Sequence, residues 1–295
     1  MEQVGTRILS EQHCHLGEGC TYDPVTDTAW WFDIIERTLF QADLQSGAVT
    51  THTLPMMASV LAFIDAQHQL LATENGLYVR DIADGRLALH TPLEAENAAT
   101  RSNDGRVHPC GALWIGTMGR RGEKGAGAIY HFHQGTLLRL YANVSIPNAI
   151  CFSPDGATAY FTDSREGILY RVAVNPANAL PTGNPAILYD HRGGAGSPDG
   201  AVVDSEGLIW NARWGGSCID VYTPEGGRVR TIRVPATQPS CPAFVGRHFD
   251  RLLVTTAWEG MDEQARAADP NHGRTFILDV GARGRAEPRV RLGPA

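Results

Sequence analysis

Glu18, Asn103, Asn148 and Asp199 are the residues of this chain whose types and spacing could do chemistry. Each heads a short apolar run, and each run closes six residues further on, at Pro24, Pro109, Pro154 and Ser205. Two carboxylates and two carboxamides are hard oxygen donors. Gathered away from water, the carboxylates repel each other unless a cation neutralises them. Oxygen-only ligation favours Ca2+, Mg2+ or Mn2+, with Zn2+ and Fe2+ also within its range. Taken singly, an Asn or Asp beside Gly or Pro is ordinary turn chemistry. Glu18, between Gly17 and Gly19, reads equally as a solvated loop residue. Four polar residues at one position of otherwise apolar runs are poorly explained by turns, and a divalent-metal site is the expectation.

Arg101 stands two residues before Asn103, so strand alternation turns both to one face. A guanidinium there suits a polyhydroxylated or anionic substrate; the alternative is an ion pair with Asp104 or Glu123. His13, His15, His108 and His191 lack ligand spacing and read as surface or loop residues. Trp30, Trp31, Trp114 and Trp210 read as core, whereas Trp214 and Trp258 follow strand ends and could line a pocket. No nucleophile elbow, Cys/His pairing, phosphate loop or dinucleotide fingerprint is present in the sequence. The chemistry left is metal-assisted attack or simple binding.

The elements that must position these residues come from a repeat. Glu18, Ser59, Asn103, Asn148, Asp199 and Cys241 occupy equivalent places, separated by 41, 44, 45, 51 and 42 residues. Every copy holds an apolar run, a turn rich in Asp, Gly or Pro, and a second apolar run, the pattern of a β-hairpin. Two further β-like runs follow each hairpin. Four strands per unit at this period predict an all-β fold: a six-bladed β-propeller with four-stranded blades around a central metal-containing channel, as one domain over 1–295. The first strand of each blade lines the channel, so the six register positions should meet at one height. Glu18, Asn148 and Asp199 then leave room for waters and a substrate oxygen. Thr6 to Leu9 has no partner within its own repeat, and Arg289 to Leu292 is a candidate last strand; one terminus is expected to complete the other's blade. Glu259 to Asn271 reads as a helical turn or a loop over one face.

Composition agrees with a globular chain of 295 residues, 43% hydrophobic and 19% charged. The formal charge of −7 argues against a nucleic-acid or anionic-membrane partner. No apolar run approaches the roughly 18 residues of a membrane span, and no secretory signal opens the sequence. The expectation is a cytoplasmic protein, monomeric or a weak homo-oligomer. Six scattered cysteines form no C-x-x-C pair; Cys151, among apolar residues, reads as an inert core thiol.

The segments LGEG, RSNDGRVHPCGALWIGTM, PNAICFSPDG, SPDGAVVDSEGLIW and RTFILDVGARGRAEPRV, in this order, resemble the hallmark segments of the gluconolactonase/regucalcin (senescence marker protein) family. The resemblance implies a six-bladed propeller with one divalent metal and, for many bacterial members, hydrolysis of aldonolactones. It implies Glu18, Asn148 and Asp199 as metal ligands, Arg101 and Asn103 as substrate contacts, and Asp199 also as general base. Two departures stand out. Arg121 occupies a place where animal regucalcins carry Glu, with Glu123 nearby as a substrate-binding stand-in, and Cys20 replaces a common Pro. VVDSEGLIWNARWGG is most similar to bacterial sugar-lactone hydrolases.

The expected activity is therefore divalent-metal-dependent hydrolysis of a pentono- or hexonolactone to the aldonic acid in sugar catabolism. Sequence leaves open whether Asp199 activates the water or the cation delivers it. The competing readings are a non-catalytic calcium-binding regulator, a phosphotriesterase-like hydrolase, and an interaction scaffold that would not need carboxylates in its channel.

Overall fold

The computed structural model describes residues 1–293. After β1 (Gly5–Ser10), strands follow in groups of four. The first group is β2 (Gly17–Asp23), β3 (Thr28–Asp33), β4 (Thr38–Asp43) and β5 (Val49–Thr53). Next come β6 (Ala58–Phe63), β7 (His68–Thr73), β8 (Gly76–Asp81) and β9 (Leu87–Pro92), then β10 (Thr100–Val107), β11 (Leu113–Gly119), β12 (Gly127–His133) and β13 (Thr136–Val144). The fourth group is β14 (Pro147–Phe152), β15 (Thr158–Asp163), β16 (Ile168–Ala173) and β17 (Ala186–Asp190). The fifth is β18 (Ser197–Val203), β19 (Ile209–Trp214), β20 (Cys218–Tyr222) and β21 (Arg228–Arg233). The chain ends with β22 (Pro239–Val245), β23 (Arg251–Thr256), a short helix α1 (Glu263–Ala268) and β24 (Thr275–Asp279).

Each group is one antiparallel meander, and the six four-stranded sheets are the blades of a six-bladed β-propeller. Residue contacts divide the chain into two compact units. One comprises Met1–Pro55 with Gly193–Ala286 and holds the blades begun by β2, β18 and β22; the other comprises Met56–Arg192 with the stretch from Glu287 and holds those begun by β6, β10 and β14.

In the first unit the last blade runs β22-β23-β24-β1, so the N-terminal strand supplies the missing edge, with Thr6 opposite Leu278 and Arg7 opposite Ile277. Pairing covers the edge of β24 that would otherwise template aggregation. Arg289 to Leu292 is not a strand. In the second unit this stretch runs beside the hairpin turns, where the Val290 N–H donates to the Phe63 carbonyl at 2.9 Å and the Arg291 N–H to that of Gly111 at 2.9 Å.

The first two strands of each blade are almost wholly buried, β3 and β6 as near-continuous apolar runs and β10 (TRSNDGRV) although mostly polar; the outer strands β5, β9, β13, β17 and β21 are largely exposed or half-buried. Tryptophans fill the layers between blades as expected. Trp31 stacks on Phe40 at 5.0 Å, and Trp210 meets Phe244 edge-on at 5.5 Å in the first unit. Trp114 meets Phe152 edge-on at 5.5 Å in the second. Cys151 is buried, and burial pushes its thiol far up from the ordinary value. Among the described residues no helix is long and apolar enough to cross a membrane.

Candidate active site

Every inner strand breaks register at or beside its repeat-equivalent position, a feature the sequence did not announce. The shifts fall between Glu18 and Thr21, Ala58 and Val60, Ser102 and Gly105, Asn148 and Cys151, Pro198 and Ala201, and Pro239 and Pro242. Glu18, Ser59, Asn103, Asn148, Asp199 and Cys241 thus all sit at a β-bulge, the device that re-aims a side chain out of the pleat. The residue after Glu18 is Gly19 at φ +58°, and the residue after Asn148 is Ala149 at φ +54°. A left-handed alanine costs about 1–2 kcal/mol. Its position beside a candidate ligand is where stored strain belongs.

In the second unit the bulges of β10 and β14 carry a directional chain of hydrogen bonds. Arg101 Nη1 donates to Asn103 Oδ1 at 2.9 Å and to the Ser102 carbonyl at 2.8 Å. Asn103 Nδ2 donates to Asn148 Oδ1 at 3.1 Å and to the Pro147 carbonyl at 3.0 Å. Asn148 Nδ2 donates in turn to Ser164 Oγ at 2.9 Å. A cation at the head of the chain polarises each amide in one sense, and cooperative polarisation strengthens such a series. Asn148 is thereby oriented: its Nδ2 edge is fixed to Ser164, while Oδ1 keeps a lone pair after accepting from Asn103.

Arg101 and Asn103 do share one side of β10, as alternation predicts. Asp104, offered as an ion-pair partner for Arg101, turns instead to the neighbouring strand and accepts the Ile150 N–H that the β14 bulge releases, at 2.8 Å, and the Gly105 N–H at 2.8 Å. Burial raises its carboxyl above the usual range, against the pull of Arg106. Glu123 is placed differently from Arg101 and Asn103. It is exposed in the turn between β11 and β12, accepts the Arg121 N–H at 3.0 Å, and is held below the usual range by backbone N–H groups, its own first.

In the first unit Glu18 lies within β2, not in a solvated loop. A Cβ on Gly17 would run into the Thr256 carbonyl oxygen, so glycine is needed there for strand approach. Glu18 Oε2 accepts the Gly19 N–H at 3.1 Å. Around Asp199 the bulge is held by Asn211, whose Nδ2 donates to the carbonyls of Asp199 at 2.7 Å and Gly200 at 3.1 Å. Sequence reasoning passed over Asn211, which is fully buried in β19 together with Arg213; the signal available was a polar residue directly after the apolar pair Ile209-Trp210.

Two histidines read as surface or loop residues do lie in loops, but both are buried. His108 is not a surface residue: it is fully buried, its Nε2 donates to the Gly156 carbonyl at 2.8 Å, and Nδ1 accepts the Cys110 N–H at 3.1 Å and faces Cys110 Sγ at 3.0 Å. A Cys/His pairing therefore exists, hidden in a turn. His191 is buried as well. Trp258 stacks on His15 at 3.9 Å, with Arg266 of α1 at 4.9 Å from its ring.

Glu18, Asn148 and Asp199 are 8%, 3% and 5% exposed, and each offers an oxygen donor. Taken one by one, each donor is of the hard oxygen type that divalent cations such as Ca2+ and Mg2+ take. Among the described residues no group of three His, Cys, Asp or Glu side chains is placed to hold a metal ion; in the set expected here the third donor is an amide.

A six-bladed propeller whose inner-strand bulges carry buried carboxylates and amides defines the class. The chain belongs to the SMP-30/gluconolactonase/LRE-like family, whose pattern it matches over residues 16–258. It is 58% identical over 286 residues to an inferred sugar lactone lactonase of Rhizobium meliloti (strain 1021), covering 97% of each chain. It is 32% identical over 290 residues to the L-arabinolactonase of Azospirillum brasilense, covering 96% of this chain and 94% of that one. The solved structure of a calcium-binding protein, regucalcin, from Agrobacterium tumefaciens (strain C58) superposes with a TM-score of 0.97 at 50% identity, covering 98% of both chains.

Proposed function

We propose that the protein hydrolyses the 1,4- or 1,5-lactone of a pentonic or hexonic acid, using one divalent cation held by Glu18, Asn148 and Asp199. The observation that carries this reading is the polarised chain from Arg101 through Asn103 to Asn148. It ties the two residues proposed to contact substrate directly to a candidate ligand. The names of the relatives from Rhizobium and Azospirillum support lactone hydrolysis, and the calcium-binding relative supports a divalent cation.

A bound divalent cation supplies Lewis-acid polarisation of the lactone carbonyl and charge to stabilise the oxyanion. Asp199 takes the proton of the attacking water, help that is typically worth about 10²–10⁴-fold. The water oxygen bonds to the acyl carbon, and the ring C–O bond breaks as the ring oxygen takes the proton back from Asp199 and leaves as a hydroxyl. Arg101 and Asn103 hold sugar hydroxyls or the ring oxygen.

The product acid releases a proton, so a pH-indicator assay reads turnover. Metal-stripped protein should be inactive and recover on reloading; Ca2+, Mn2+, Mg2+, Zn2+ and Fe2+ are the arms of that test. Asp199→Asn should lower kcat by about 10²-fold or more; activity within a few-fold of wild type would remove Asp199 as the base. The calcium-binding name of the Agrobacterium relative favours one second reading, a calcium-binding protein without turnover. Tight Ca2+ binding with no hydrolysis of any aldonolactone would establish that instead.

A further inference from the structure

We propose that Asp33 and Asp163 are positioning residues that fix Glu18 and Asn148 in their ligating register; the proposal rests on reading those two as cation ligands. Asp33 stands fifteen residues after Glu18, and Asp163 fifteen after Asn148. Each ends the second strand of its blade, opposite the residue just before the candidate ligand: Gly17 pairs with Asp33, and Pro147 with Asp163.

Their contacts match atom for atom. Asp33 Oδ2 accepts the N–H of His15 at 2.7 Å and Oδ1 that of Leu16 at 3.2 Å, three and two residues ahead of Glu18. Asp163 Oδ2 accepts the N–H of Ser145 at 2.7 Å and Oδ1 that of Ile146 at 3.0 Å, three and two residues ahead of Asn148. A third N–H from the following turn completes each set, Glu36 at 3.2 Å and Arg165 at 3.1 Å. Both aspartates are buried. Charge-assisted bonds to backbone N–H groups are roughly twice as strong as neutral ones.

The tie lies two residues from the ligand, about 7 Å along an extended strand. A one-residue slip of β2 or β14 would turn Glu18 or Asn148 to the opposite face, and that slip would require the carboxylate to release both N–H groups. The blade begun by β6 supplies a comparison. Its register residue, Ser59, is not a candidate ligand, and its carboxylate fifteen residues on, Glu74, accepts only the Met57 N–H from that segment, at 3.1 Å, and is shared with Arg120. The two-point grip thus accompanies two of the proposed ligands. At Asp199, where position 214 is Trp, Asn211 holds the bulge instead.

The test is calorimetric titration of metal-stripped protein with Ca2+ and with Mn2+. Asp33→Asn and Asp163→Asn each present an NH2 where an acceptor is needed and should weaken cation affinity about 10–100-fold. Excess cation should restore kcat. Glu74→Gln should lower Tm while leaving affinity within about two-fold of wild type. Asp33→Glu and Asp163→Glu, which keep the charge, serve if an Asn variant does not fold and should show a smaller loss. Wild-type affinity in the folded Asp33 and Asp163 variants, or an equal loss in Glu74→Gln, overturns the proposal. In the same assay Glu18→Gln should lose binding; if it does not, the ligand reading itself fails, and that outcome is distinct from the first.

Discussion

Asn103 donates to Asn148 from one bulged inner strand to the next, Nδ2 to Oδ1 across 3.1 Å, and the same amide group also reaches the Pro147 carbonyl. One side chain therefore sets both the backbone and the side chain of its neighbour. Asn103→Leu removes both bonds and leaves buried acceptors without their donor, which costs about 1–3 kcal/mol. Thermal unfolding should show that loss, and kcat/KM for the best aldonolactone should fall at least about tenfold. Unchanged kcat/KM in a folded variant would separate Asn103 from the chemistry.

The left-handed positions beside Glu18 and Asn148 respond differently to substitution. Gly19→Val puts a β-branched residue at φ +58° and should cost about 1–3 kcal/mol of stability with a clear loss of cation affinity. Ala149→Gly relaxes a strained alanine while loosening the unfolded chain, so the two effects offset and stability should change by less than about 1 kcal/mol. Chemical denaturation of the pair, with one cation titration each, decides this.

Burial holds the imidazoles of His108 and His131 below their ordinary value. A base with a depressed folded pKa contributes stability that is fully present above the unfolded value near 6.5 and is lost as pH falls below it, because the unfolded chain takes up the proton first. The Tm should therefore decline between about pH 7 and pH 5. His108→Gln, which can still donate to Gly156, should flatten that decline, as calorimetry across the range will show.

Deleting residues 1–10 uncovers the edge of β24 and the side of Ile277 and Leu278 that β1 covers. Losing a strand's worth of ladder bonds, at about 1 kcal/mol each, should lower stability by several kcal/mol. The exposed edge should promote association, visible by size-exclusion chromatography. A monomeric variant with unchanged Tm would show that β1 is dispensable.

That one terminus must complete the other's blade was legible, though not which one; the repeat and the four strands per blade were legible in the chain because hydrophobic alternation and turn chemistry are local. A residue's neighbours within ten positions decide them. So was the row from Glu18 to Asp199, since equivalent strands keep equivalent residues. Even the fifteen-residue interval from Glu18 to Asp33 and from Asn148 to Asp163 lay in plain view, but not what it meant. A carboxylate's partner is an N–H made available by strand pairing, and pairing is settled only when the sheet forms.

Tertiary structure alone decided the rest. It placed the bulges that re-aim Glu18, Asn103, Asn148 and Asp199, turned Asp104 away from Arg101 toward Ile150, and left Glu123 in an exposed turn. It also buried His108 against Gly156, 48 residues away, and so made a pair with Cys110 that spacing gave no reason to expect. Burial and hydrogen-bond direction depend on which distant backbone packs alongside. That information is carried by the whole chain at once, and no short stretch of it holds the answer.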